Sequence, residues 1–241
     1  MVDVYDRQQS LKLHSYKHAI VLGVGGIGGW VAFNLALSGQ VEDLTLIDPD
    51  VVEDSNLNRT PFRFCDIGFL KVDALKYMIL ERRTIEVTTF AQKTSDQLKD
   101  FIFRDTFRLD RCQPNYTHSV IIDCRDDVYT DFYDVPAKYY KIGYDGFSIT
   151  IDGNPRNTAV WGQANGYRVT PSFICPSQLA ANLVITDILA QHTDEEPYTE
   201  KNPIEDKNIF DEYGRFNSIV TFDSSDLLSM IYRTSIQKPE S

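Results

Sequence analysis

Gly23, Gly25 and Gly28 stand at the spacing G-x-G-x-x-G, with Gly26 inside the same loop, between an apolar stretch (Ala19 to Leu22) and a segment of helical character (Ile27 to Ser38). In a strand–turn–helix context, glycines so placed let a phosphate approach the backbone N–H groups at a helix N-terminus, where unpaired donors and the helix dipole both favour negative charge. Asp48 follows Gly28 by 20 residues at the end of TLID, with Asp50 two residues beyond it. A carboxylate there can accept hydrogen bonds from ribose hydroxyls. These residues alone describe a nucleotide site and leave a nicotinamide-dependent dehydrogenase open.

The next polar groups narrow the chemistry. Transfer of AMP to a carboxylate requires neutralised triphosphate charge, a Mg²⁺ ligand, and an acceptor in line with the α-phosphorus. Arg59, closing NLNR, and Lys71, closing DIGFLK, are cations beyond the Asp48 strand, on the carboxyl side of the sheet where ligands of α/β proteins bind. Asn56 offers both a donor and an acceptor beside them. Asp126, in DCRDD just past the strand SVIID, is placed to coordinate Mg²⁺. A dehydrogenase would leave Arg59, Lys71 and Asp126 without a role, so these residues favour adenylyl transfer from ATP·Mg²⁺.

The elements that must carry these residues alternate. LTLID, IEVTTF and SVIID read as buried strands, and Gly68 to Arg83 and Asp96 to Arg104 as helices. The expected fold is therefore α/β, with a Rossmann-like, mostly parallel sheet flanked by helices. From Tyr139 onward KIGYDGFSITI and TAVWG read as strands with glycine turns, which predicts antiparallel strands added to the sheet in the C-terminal half. A long helix follows in PSQLAANLVITDILAQH, with Pro176 in its first turn. Thr193 to Arg215 is acidic and aperiodic, an expected loop or lid, and SIVTFD with LLSMIYR reads as a closing hairpin.

Composition weighs against several partners. The chain of 241 residues carries a formal net charge of −11 and a pI near 4.8, which opposes nucleic acid and anionic membrane. The N-terminus shows no basic segment followed by an apolar core, so a cytoplasmic location is expected. Cys65, Cys112, Cys124 and Cys175 form no C-x-x-C pair. Cys175 ahead of a helix is weighed as a thioester carrier, but it, Cys65 and Cys124 are expected as small core residues. His14, His18, His118 and His192 lack ligand spacing, and Trp30 and Trp161 are expected in core or dimer contacts.

From GVGGIGG through LIDPDVVEDSNLNR, FRFCDIGFLK and IIDCRDD, and again in the late helix and SIVTFDSSD, the chain resembles the ThiF/MoeB superfamily, the bacterial relatives of ubiquitin-activating enzymes. The resemblance implies that Asp48 contacts ribose, that Asn56, Arg59 and Lys71 bind the triphosphate, and that Asp126 is the metal-associated catalytic carboxylate. Tyr5-Asp6-Arg7-Gln8 matches an N-terminal Y-x-R-Q whose arginine enters the partner subunit's site, which implies a homodimer with composite active sites. The implied acceptor is the C-terminal glycine of a ubiquitin-like or sulfur-carrier protein. Adenylation of a short peptide, adenylation of a modified tRNA nucleoside, and a non-catalytic nucleotide-binding relative are the alternatives.

The chain departs from the family pattern at Thr60, where Gln is usual, and at Asp127 and Asp131, where Asn and Arg are usual. The stretch from Arg7 to Gly23 is shorter than usual, and both zinc-binding cysteine pairs are missing, so no zinc is expected. On this reading residues 1–241 form a single adenylation domain. It comprises an N-terminal arm (1–16), a nucleotide-binding half (17–135) and an acceptor and dimer half (136–241) containing the acidic loop 193–215.

Overall fold

Alternating apolar residues along short strands put one hydrophobic cluster on each face of a sheet. In the computed structural model, which describes residues 4–106, 118–126, 132, 137–152, 172–190 and 220–223, Ala19, Val21, Leu44, Leu46, Val120 and Ile122 face one side. Ile20, Leu22, Ile47 and Ile121 face the other. The strands are β1 (Tyr16–Leu22), β2 (Val41–Ile47), β3 (Glu86–Phe90), β4 (Ser119–Asp123), β5 (Lys138–Asp145), β6 (Ser148–Asp152) and β7 (Val220–Asp223), and the helices are α1 (Gly26–Leu37), α2 (Lys71–Leu80), α3 (Asp96–Thr106) and α4 (Ile174–Leu189).

The sheet runs in the order β3-β2-β1-β4-β5-β6-β7. Pairing is parallel from β3 to β5 and antiparallel for β5–β6 and β6–β7. The predicted mixed α/β architecture is therefore the one observed. Helices α1, α2 and α4 bury Val31, Leu35, Leu75, Ile79, Val184 and Ile188 against the first face; α3 covers the second with Leu98 and Ile102. Strand order reverses between β1 and β4, the switch point at which the loops of an open α/β sheet diverge and leave a crevice. Among the described residues no helix is long and apolar enough to cross a membrane.

A polar clamp ties α4 to the sheet. The Tyr140 hydroxyl donates to the Asp187 carboxylate, both groups being buried, and Lys138 Nζ lies 3.9 Å from the same carboxylate. Burial and the Asp187 charge push the Tyr140 phenol up, so it stays a proton donor. Tyr140→Phe removes one donor from a buried carboxylate and is expected to lower stability by about 2 kcal/mol. Urea titration would read that loss.

Two expectations need correction. Cys65 and Cys175 are exposed, whereas both were expected in the core. Cys65 sits in a one-turn 3-10 helix, Phe64–Asp66, on the loop between β2 and α2, and Cys175 is the second residue of α4, ahead of the face that packs on the sheet. The TAVWG and LLSMIYR strands and the acidic loop 193–215 lie outside the described residues, as do Trp161, Asp127 and Asp131.

Candidate nucleotide site

All parallel strands deliver their carboxyl ends to one edge, and backbone hydrogen bonds continue past the strands into the loops there. Gly23 N donates to Ile47 O at 2.9 Å, Cys124 N to Leu22 O at 2.8 Å, and Asp48 N to Phe90 O at 3.1 Å. Gly23 adopts φ +81°, a left-handed conformation that glycine enters without penalty. At Gly28 the constraint is steric: a Cβ would stand 1.8 Å from the carbonyl oxygen of Gly23. Helix α1 begins at Gly26 behind Gly25, which offers no capping side chain. Its first N–H groups are therefore left for a ligand, and the positive end of the helix dipole points at the same place.

Asp48 is 5% exposed and latches the loop to β2. Its Oδ2 accepts from Val24 N at 2.6 Å and its Oδ1 from Asp50 N at 2.9 Å. Burial pushes its pKa up, against the lowering effect of Lys71 and of the Asp50 and Val24 N–H donors. A folded pKa above the unfolded one contributes stability at low pH that is lost as pH rises through the folded value. Asp48→Asn does not ionise there, so its melting temperature is expected to gain on the wild type as pH goes from about 3 to 7. Melting curves across that range test this; a difference independent of pH would refute the assignment.

Lys71 is the first residue of α2, the wrong end of a helix for a cation. Asp50 offsets this: Lys71 Nζ donates to Asp50 Oδ2 at 2.8 Å, and Lys71 N to Asp50 O at 2.9 Å. Asn56 is 6% exposed and closes a capping box, its Oδ1 accepting from Glu53 N at 3.1 Å. The next turn presents Arg59. Its Nη1 donates to Ser55 O and Asn58 Oδ1, and its backbone carbonyl is fixed by Trp30 Nε1 at 2.9 Å and Ser177 Oγ at 3.1 Å. A Cβ on Gly26 would lie 3.5 Å from the Arg59 stem, so this cation borders the first turn of α1. Asp126 is exposed on the bend after β4, adjoining Arg125, whose backbone N would lie 3.1 Å from a Cβ on Gly23.

Arg7 is not with them. It is exposed in the 3-10 segment Asp6–Leu11, which docks at the far end of α1: Gln8 Nε2 donates to Ser38 O at 2.6 Å, and the Tyr5 ring covers Gly39. A helix of 12 residues separates it from its own glycine loop by about 18 Å.

Sequence reasoning missed three side chains at this edge. The Tyr144 hydroxyl lies 2.9 Å from where a Cβ on Gly26 would stand. Burial raises its pKa, partly offset by Ser172 and Arg59. Arg125 and Lys141 surround the buried Asp123. The signal for Lys141 was a lysine within the strand-like run KYYKIG, readable only with the pairing of Asp123 and Lys141 in the β4–β5 register.

The ThiF family model matches residues 1–138. A tRNA threonylcarbamoyladenosine dehydratase of Haemophilus influenzae is 44% identical over 59 residues, which are 24% of this chain and 22% of that protein. The Aspergillus niger adenylyltransferase and sulfurtransferase uba4 is 47% identical over 73 residues, 30% of this chain and 15% of that protein. The crystal structure of E. coli MccB with ATP superposes with a TM-score of 0.53 and 26% identity, over 75% of this chain and 56% of that one. The chain thus matches about a fifth or less of the length of these two curated relatives.

Proposed function

The chain belongs to the ThiF family, and from that premise we propose that it is an ATP- and Mg²⁺-dependent adenylyltransferase that activates a carboxylate as its acyl adenylate. The proposed acceptor is the C-terminal glycine of a ubiquitin-like or sulfur-carrier protein. One observation carries this reading: the uncapped start of α1, Asp48 and the cations Arg59 and Lys71 border the same carboxyl edge of the sheet, beside the bend that bears Asp126. The acceptor carboxylate attacks the α-phosphorus, an acyl–phosphate bond forms, and the bond to pyrophosphate breaks.

Each group has a task set by its charge. Backbone N–H groups at Gly25 to Ile27 receive phosphate oxygens, and Asp48 accepts from the ribose. Arg59 and Lys71 neutralise charge on the departing pyrophosphate. Among the described residues no three His, Cys, Asp or Glu side chains gather into a metal cluster. Mg²⁺ takes one or two carboxylates and completes its shell with phosphate oxygens and water; Asp126 is the residue that would hold it. The metal would polarise the phosphates. Arg7, remote from its own loop, would act in a second copy, giving a homodimer with composite sites.

ATP–pyrophosphate exchange tests the reading directly. Exchange is expected only when an acceptor with a free C-terminal carboxylate is supplied. Small proteins ending in Gly-Gly, short peptides and tRNA form the three arms. Stimulation by a peptide alone would move the acceptor to the peptide class, and by tRNA alone to a modified nucleoside. ATP binding with no exchange in any arm would leave a non-catalytic relative.

A further inference from the structure

The proposed chemistry does not use a set of charged groups immediately behind Asp126. Asp123, the last residue of β4, is fully buried. Its Oδ1 accepts from Arg125 N at 3.1 Å and Arg125 Nε at 2.9 Å. Its Oδ2 accepts from Arg125 Nη2 at 2.7 Å and from the Tyr139 hydroxyl at 2.8 Å. Lys141 Nζ lies 3.4 Å from Asp123 Oδ1 and donates to the carbonyl of Arg125 at 3.1 Å. The Arg125 guanidinium also reaches the Thr94 hydroxyl ahead of α3 and stands over the Phe132 ring.

Burying one carboxylate with two cations is expensive in desolvation, and apolar residues of similar size would avoid that penalty. What the arrangement secures is geometry. Arg125 has its N–H, in the peptide from Cys124, held by Asp123 and its carbonyl, in the peptide into Asp126, held by Lys141, so the residue ahead of Asp126 is gripped through both of its peptide groups. Gly23 backs it closely enough that a Cβ there would come within 3.1 Å of Arg125 N. Resting on the adenylyltransferase reading above, we propose that Asp123, Lys141 and Tyr139 are positioning residues that fix Arg125 against the glycine loop and so present the carboxylate of the next residue, Asp126, to the metal–triphosphate.

Lys141→Met and the milder Tyr139→Phe, made in the full chain, test this. Groups that orient a metal-associated carboxylate change metal affinity or activity by about 10–100-fold when removed. Lys141→Met is therefore expected to lower the exchange rate about thirtyfold and raise the half-saturating Mg²⁺ for ATP binding, read by calorimetry, about tenfold. Metal-free ATP affinity should stay within about twofold, since phosphate contacts made by α1 are untouched. Amide hydrogen exchange should quicken at Arg125 and Asp126 while Ile121 and Ile122 keep wild-type protection. Tyr139→Phe should shift each readout the same way by a smaller factor.

Unchanged Mg²⁺ dependence in Lys141→Met would overturn the proposal, as would faster amide exchange spread over all of β4. Should Lys141→Met not fold, Tyr139→Phe decides: wild-type Mg²⁺ dependence and amide protection there overturn it. A wild-type protein that shows no exchange with any acceptor defeats the adenylyltransferase reading instead, and Mg²⁺·ATP binding with amide protection still judges the positioning role.

Discussion

Lys71→Met is expected to reduce ATP–pyrophosphate exchange by about a thousandfold, the scale of losing one preorganised charge that faces a developing anion. Methionine keeps the buried stem of a side chain whose exposure is only 11%, so packing on α2 is retained and the loss is electrostatic. Removing the cation also withdraws the Coulombic influence that holds the Asp48 pKa down against burial, so ground-state ATP affinity falls too, by a smaller factor. The measurement is kcat for exchange beside the calorimetric Kd for ATP. A fall in kcat much larger than the rise in Kd marks charge stabilisation in the transition state. Exchange within about tenfold of the wild type would reduce Lys71 to the helix-terminal partner of Asp50.

Gly28→Ala is expected to cost about 3 kcal/mol of stability and to abolish measurable nucleotide binding. Its new Cβ would meet the carbonyl oxygen of Gly23 at 1.8 Å and the carbonyl carbon at 2.9 Å. Both are backbone atoms in a loop tied to β2 by the Gly23 N–H, so relief requires moving the loop itself. Two control substitutions sharpen the test. A Cβ on Gly25 would meet nothing within 4 Å, and one on Gly26 would meet only side-chain atoms, the Tyr144 hydroxyl at 2.9 Å and the Arg59 stem at 3.5 Å. Gly25→Ala and Gly26→Ala are expected to melt within a few degrees of the wild type. Equal destabilisation by all three alanines would refute the steric account of Gly28.

How much of this was legible in the sequence depends on how local each signal is. The β1–loop–α1 unit was readable because glycine spacing, strand periodicity and helix start lie within some twenty residues. Asp48 and Asp126 could be assigned to the ends of strands, and Asn56, Arg59 and Lys71 to the elements that follow on the same side, because alternating strands and helices dictate a parallel sheet. The Asp123–Lys141 pair could not be read, since it depends on which strands become neighbours and in what register. The same limit explains Tyr144, which reaches Gly26 from a strand far along the chain. Cys65 and Cys175 were misassigned because residue type carries only an average tendency to burial, and position decides.

On the proposed adenylyl transfer, the hydrogen-bonded rungs that run past the strand ends into Gly23, Asp48 and Cys124 would have an energetic consequence for catalysis. A receptor whose recognition loops are continuous with its β-ladder surrenders little conformational entropy when the nucleotide arrives. Affinity gained from the adenosine and phosphate contacts then need not be consumed in organising the cradle, and more of it is free to tighten as the reaction approaches its summit.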